Sequence, residues 1–145
     1  DLPGPGPLLD CAFVAYPPEA KQNCLAVKPN TLAHSNLTSE KVAREMAAGA
    51  LKRSRANVAV ANTGVADAPD DDTPPGTQCF AWAFRLEGND PATLFAETRR
   101  FGGNRHTIRQ ASAEYALKRI PYYYDQLVHT LPGRTDCEEA QAAER

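Results

Sequence analysis

Residues 78–86 (QCFAWAFRL) and 93–100 (TLFAETRR) are two runs of strand length, separated by Glu87-Gly88-Asn89-Asp90-Pro91. Aromatic and β-branched side chains recur in the runs, and the segment between them holds the residues that make turns. The pattern predicts an antiparallel hairpin. A sheet that contains such a hairpin is not purely parallel.

Around the hairpin, helical and extended patterns alternate. The clearest helix covers residues 39–54, where Val42, Met46 and Ala50, with Ala43, Ala47 and Leu51, recur at spacings of three and four. Thr38 is its expected N-cap, with Leu37 and Val42 placed as a hydrophobic staple. Residues 57–62 (NVAVAN) read as a short strand ended by Thr63-Gly64. The apolar run 8–16 (LLDCAFVAY), stopped by Pro17-Pro18, reads as a largely buried strand. A short helix over residues 19–25 follows, broken by Lys28-Pro29-Asn30. A long helix opens at Asn104, with Ile108, Ala113, Ala116, Leu117, Ile120, Tyr124 and Leu127 as its apolar side. Pro121 inside it is expected to kink or interrupt it. The polar residues 133–145 are expected to form a flexible tail. This order implies a layered α/β fold with a mixed sheet.

A chain of 145 residues is the size of one domain. Its net charge of −2 gives no basic footprint for nucleic acid or for a membrane surface. No apolar run approaches the roughly 20 residues of a membrane span. Residues 1–7 (DLPGPGP) lack the pattern of a signal peptide and suit a loop or linker, so the chain could begin within a larger unit. Cys11, Cys24 and Cys79 lie in apolar stretches and, with Cys137, show no C-x-x-C spacing. They are expected as small buried hydrophobes of a reducing, cytoplasmic compartment.

Three places could carry chemistry. Tyr16 ends the first predicted strand, where clefts open in α/β sheets, and Lys21 lies one helical turn on. An ammonium near a phenol favours the phenolate and would make Tyr16 a proton acceptor. The alternative is a rim tyrosine beside a solvated lysine. Asn62-Thr63-Gly64 with the loop that follows offers a hydroxyl and backbone N–H groups at a strand end, or else forms a simple turn. Gly102-Gly103-Asn104-Arg105 leads into a helix whose first turns carry Arg105 and Arg109. Free N–H groups, the helix dipole and guanidinium all favour an anion there; a solvated, Asn-capped helix start is the other reading. His34, His106 and His129 lack metal-ligand spacing, and G-x-S-x-G, Walker A and G-x-G-x-x-G are all missing. Asp67 and Asp70 to Asp72 belong to a loop without calcium-site spacing.

In order along the chain, Phe13-Val14-Ala15-Tyr16 with Glu19-Ala20-Lys21 is similar to F-V-x-Y-x-x-E-A-K, and residues 42–51 to V-A-x-x-M-A-x-G-A-L. Thr63-Gly64-Val65-Ala66 is similar to T-G-I-A. Pro75-Gly76-Thr77 with Phe80-Ala81 is similar to P-x-G-T-V-x-F-A, and residues 101–109 to F-x-G-x-R-x-x-V-R. Over residues 8–127 the chain thus resembles the CinA (competence/damage-inducible) C-terminal domain family. The resemblance implies a three-layer α/β/α domain that hydrolyses nicotinamide mononucleotide to the acid and ammonia without metal or cofactor. It further implies a Ser nucleophile, Tyr16 as proton partner beside Lys21, and Thr63, Gly64, Arg105 and Arg109 as the border of a nucleotide site. The subunit number stays open. The family's first strand and the S-C-T-G-G turn that carries the Ser have no counterpart in residues 1–145. The loop that is Gly-rich in the family here runs Asp67-Ala68-Pro69-Asp70-Asp71-Asp72. Two expectations follow: an amidase domain that is incomplete and inactive as it stands, or a catalytically silent nucleotide-binding or regulatory module.

Overall fold

The computed structural model describes residues 6, 8–67, 73–87 and 91–130. In chain order these form α1 (Pro18–Leu25), α2 (Pro29–His34), α3 (Glu40–Lys52), β1 (Val58–Gly64), β2 (Thr77–Phe84), β3 (Thr93–Arg100) and α4 (Arg105–Thr130). The strands make one sheet in the order β1-β2-β3. Both ladders are antiparallel, with Val58 opposite Phe84 and Thr77 opposite Arg100. The predicted hairpin is the β2–β3 pair.

Side-chain alternation divides the central strand between two layers. Cys79, Ala81 and Ala83 point to one face and pack with Val42, Ala43, Met46 and Ala47 of α3. Small residues there let the helix lie close to the sheet. Phe80, Trp82 and Phe84 point to the other face and pack with Ala116, Tyr123 and Leu127 of α4. Helices therefore cover both faces of the sheet, as an α/β/α arrangement requires. The indole of Trp82 is wholly buried, and its Nε1 donates to the Ala116 carbonyl at 2.8 Å. Behind α3 lies α1, and a Cβ at Gly49 would overlap the Leu25 backbone. Glycine at that position lets the two helices touch.

Several local expectations need correction. Ser39, not Thr38, caps α3, its Oγ accepting from Val42 N at 3.3 Å. Helix α1 ends at Leu25, ahead of Lys28-Pro29-Asn30 as expected, but Pro29 then begins α2, a helix the sequence reading lacks, as a proline in a first helical turn can. Glu45 of α3 accepts from Lys28 N at 2.8 Å and Thr31 Oγ1 at 2.7 Å, which fastens α2 to α3. Helix α4 continues through Pro121. The carbonyl left without a helical donor is that of Leu117, an exposed residue, so water can serve it. The buried stripe of α4 is Ile108, Ser112, Ala116, Tyr123 and Leu127, while Ala113, Leu117 and Tyr124 turn outward.

The largest departure is at residues 8–16. They form no strand, and Leu8, Val14 and Tyr16 are 79%, 91% and 81% exposed. An extended run is held by a neighbouring strand, and between residues 8–13 and β1 lies a cavity of about 460 Å³. Asp10 tethers the run instead, accepting from Arg55 N at 2.9 Å and Arg55 Nη2 at 3.1 Å. Cys11 is therefore exposed, and Cys24 lies on the outer side of α1; among the described cysteines Cys79 alone is buried. Cys137, Asp70 to Asp72 and the expected tail 133–145 lie outside the described residues.

Candidate active site

The end of β1, the start of α1 and the first two turns of α4 enclose a cavity of about 450 Å³. Tyr16, Lys21, Thr63, Gly64, Arg105 and Arg109 all line it. Three separate motifs are thus brought to one place, although Tyr16 and Arg109 are far apart in sequence.

Lys21 is buried, and its Nζ donates to the backbone carbonyls of Ala15 at 3.1 Å and Tyr16 at 2.6 Å. Burial pushes its pKa below the usual lysine value. The ammonium therefore grips the main chain of Tyr16, and no hydrogen bond joins it to the phenol. One of its three donors is left for a ligand. Thr63 Oγ1 donates to Leu37 O at 2.9 Å, so the hydroxyl meets a ligand only as an acceptor. A Cβ at Gly64 would overlap the side-chain amide of Gln78. That contact, not ligand approach, is what glycine serves there.

Asn104 caps α4 by accepting from Thr107 N at 3.0 Å. Gly103 before it has φ of +115°, a conformation natural to glycine. This start aims Arg105 and Arg109 at the cavity. Arg105 Nη1 lies 3.2 Å from Asp67 Oδ1, with the side chains 51% and 57% exposed. Asp67 follows Ala66 at the cavity rim and meets Arg105 there while staying half exposed to solvent. Among the described residues Arg109 makes no hydrogen bond or ion pair. Among the described residues, Lys21, Arg105 and Arg109 stand against the carboxylate of Asp67, an excess of positive charge suited to an anion.

Two features escape the sequence reading. Gln78, a polar residue in an otherwise apolar strand, is buried and links Asn62 to Val65 inside the cavity wall. Away from the cavity, Glu97 of β3 accepts from Arg99 Nε at 3.0 Å, Arg119 Nε at 2.9 Å and the hydroxyls of Tyr115 and Tyr123. Burial opposes its ionisation, but the hydrogen bonds from Tyr115, Tyr123, Arg119 and Arg99 prevail and hold its pKa at about 2. The cluster clamps α4 to β3 and so fixes the helix that carries both cavity arginines. Among the described residues no group of His, Cys, Asp and Glu could hold a metal, and no helix is long and apolar enough to cross a membrane.

The sequence profile of the CinA C-terminal domain matches residues 1–123. The chain is 43% identical over 129 residues to a "putative competence-damage inducible protein" of Symbiobacterium thermophilum, covering 85% of this chain and 30% of that one. It is 38% identical over 125 residues to the nicotinamide-nucleotide amidohydrolase PncC of Escherichia coli K12, covering 83% of this chain and 71% of that one. The crystal structure of the competence/damage inducible protein CihA from Agrobacterium tumefaciens is similar with a TM-score of 0.75 at 32% identity, covering 83% of this chain and 72% of that one.

Proposed function

Because the chain belongs to the CinA C-terminal domain family, we propose that its cavity binds a pyridine nucleotide and, once joined by a nucleophile, hydrolyses the nicotinamide amide. The observation that carries this reading is the meeting of all six motif residues around one cavity. Arg105 and Arg109 receive the phosphate, as fixed guanidinium groups do well. Tyr16 relays a proton, its oxygen accepting that of a seryl hydroxyl as the seryl oxygen attacks the amide carbon, while its own phenolic proton passes to the departing nitrogen. Ammonia leaves, and water then releases the acid from the seryl ester. Lys21 holds the Tyr16 main chain and keeps a positive charge beside the reacting oxygens.

On this reading the site needs a seryl group that the six motif residues do not include. Its place is the free edge of β1. Residues 57 and 65 bond to β2 through Asn57 O and Val65 N, so by antiparallel alternation Val58, Val60, Asn62 and Gly64 turn their N–H and C=O groups the other way. That edge faces the cavity bordered by residues 8–13. A strand added there would bring its end to the site. Ammonia release from nicotinamide mononucleotide tests the reading. Turnover is expected when the seryl-bearing segment is present and not from residues 1–145 alone. Turnover by these 145 residues, purified free of contaminating amidase, would overturn it.

The Asp67–Arg105 pair favours a second reading, a silent binding module, because it occupies part of the anion site. Nucleotide binding without ammonia release by the complete protein would decide for it.

A further inference from the structure

We propose that Asn62, locked in orientation by Gln78, is the residue that distinguishes an amide ligand from its acid. The proposal rests on the nucleotide reading above and deepens it. Gln78 Nε2 donates to the Val65 carbonyl at 3.3 Å, and Gln78 Oε1 accepts from Asn62 Nδ2 at 3.1 Å. Asn62 Nδ2 also reaches the Cys79 carbonyl at 3.4 Å. Backbone carbonyls only accept, so the two of them fix which end of each amide is nitrogen. Turning Asn62 over would set its oxygen against two other oxygens. Turning Gln78 over would set its oxygen against Val65 O.

With both Nδ2 hydrogens engaged, the Oδ1 of Asn62 is the side chain's remaining polar atom. No donor among the described residues reaches it. Asn62 lines the same cavity as Lys21, Arg105 and Arg109, whose free groups are all donors. The Asp67 carboxylate is paired with Arg105. Facing those cationic donors, the Asn62 Oδ1 is thus, with Thr63 Oγ1, a neutral side-chain acceptor, and of the two it is the one that Gln78 holds in place. A carboxamide offers it an N–H. A carboxylate offers only a lone pair, and two acceptors facing each other lose the hydrogen bond and repel.

Gln78 is a positioning residue in this arrangement, seated over Gly64 where any side chain would collide with it. In the pattern G-T-V-x-F-A followed by residues 76–81, valine stands where this chain has Gln78. The amide pair is therefore a departure of this chain from that pattern, and it replaces apolar surface by an oriented acceptor.

The test is calorimetric titration of nicotinamide mononucleotide, nicotinic acid mononucleotide and inorganic phosphate into the wild type, Asn62→Leu and Gln78→Val. The wild type is expected to bind the amide nucleotide about tenfold more tightly than the acid. In Asn62→Leu the ratio should fall to about one through weaker amide binding, with phosphate affinity unchanged. Gln78→Val, which frees Asn62 to turn, should lower the ratio too; a structural loss would weaken all three ligands together. If the wild type binds both nucleotides and the variants keep its ratio, Asn62 is not the discriminator and the nucleotide site stands. If the wild type binds neither nucleotide, the functional reading and this proposal fall together.

Discussion

Asp67 Oδ1 sits 3.2 Å from Arg105 Nη1, so the arginine best placed to receive an anion already has one. Both side chains are half exposed, and exposed pairs contribute about 0–1 kcal/mol. An incoming phosphate, with more charge and more acceptor oxygens, can displace the carboxylate at modest cost. Asp67→Asn should therefore raise phosphate affinity up to about fivefold at low salt. Arg105→Ala should lower it and abolish the effect of the Asp67 change. The two single variants and the double variant, titrated together, measure the coupling directly. Equal affinities for wild type and Arg105→Ala would place the anion elsewhere.

The Glu97 cluster predicts how stability depends on acid. Its pKa falls from the ordinary 4.5 to about 2 in the folded protein. A depressed carboxyl contributes stability that is complete above its unfolded pKa and is lost as pH falls towards the folded value. The window is therefore pH 4.5 down to 2, and the contribution is up to about 3 kcal/mol. Urea midpoints across that window should fall with pH for the wild type. Glu97→Gln should start lower at neutral pH and show a shallower fall. Parallel curves for the two proteins would mean that other carboxylates govern the transition.

The sequence shows the elements whose signal is local. The period of three and four in α3, the alternation in β2 and the turn residues between β2 and β3 each decide their element within a short window. Residues 8–16 failed because a strand needs a partner, and an apolar run does not say whether one is beside it. Pro29 and Pro121 show the opposite case. Pro29 follows a break that the sequence predicts but opens a further helix in a permissive first turn, and Pro121 does not interrupt α4, because its orphan carbonyl can reach water. At the candidate site, the six motif residues were legible because each lies in a recognisable stretch. Their hydrogen bonds were not. Lys21 bonding to a main chain, Thr63 spent on Leu37 and Asp67 on Arg105 are all contacts between separate elements. Gln78 had a faint signal, one amide in an apolar strand, and the Glu97 cluster had none, since its members come from two elements whose packing only the fold decides.

Trp82 is the largest wholly buried side chain at the α4 face, and it stacks on Phe80 at 5.7 Å between ring centroids. Its loss should be felt in global stability. Trp82→Phe removes ring area and leaves the Ala116 carbonyl without the indole donor, so about 1–3 kcal/mol is expected. Trp82→Ala should cost about 3–5 kcal/mol. Urea unfolding followed by far-ultraviolet circular dichroism checks both. A cost under 0.5 kcal/mol for Trp82→Ala would contradict the packing described.

Tyr16 and Lys21 separate by what each does to the other. The ammonium of Lys21 holds the carbonyls of Ala15 and Tyr16 and makes no bond to the phenol. Tyr16→Phe should leave that grip intact, keep the nucleotide affinity and remove only the proton acceptor. In the protein with its seryl segment, kcat should then fall by about 10²-fold or more with little change in binding. Lys21→Met keeps the length but loses the charge and both carbonyl bonds, so the Tyr16 main chain is released and a cavity cation is lost. Nucleotide affinity and kcat should both fall. Ammonia release gives kcat and calorimetry gives affinity for each variant. Unchanged turnover in Tyr16→Phe would remove the phenol from the mechanism. A Lys21→Met variant that lost only kcat would show that the lysine acts on the reacting atoms themselves and not through the position of Tyr16.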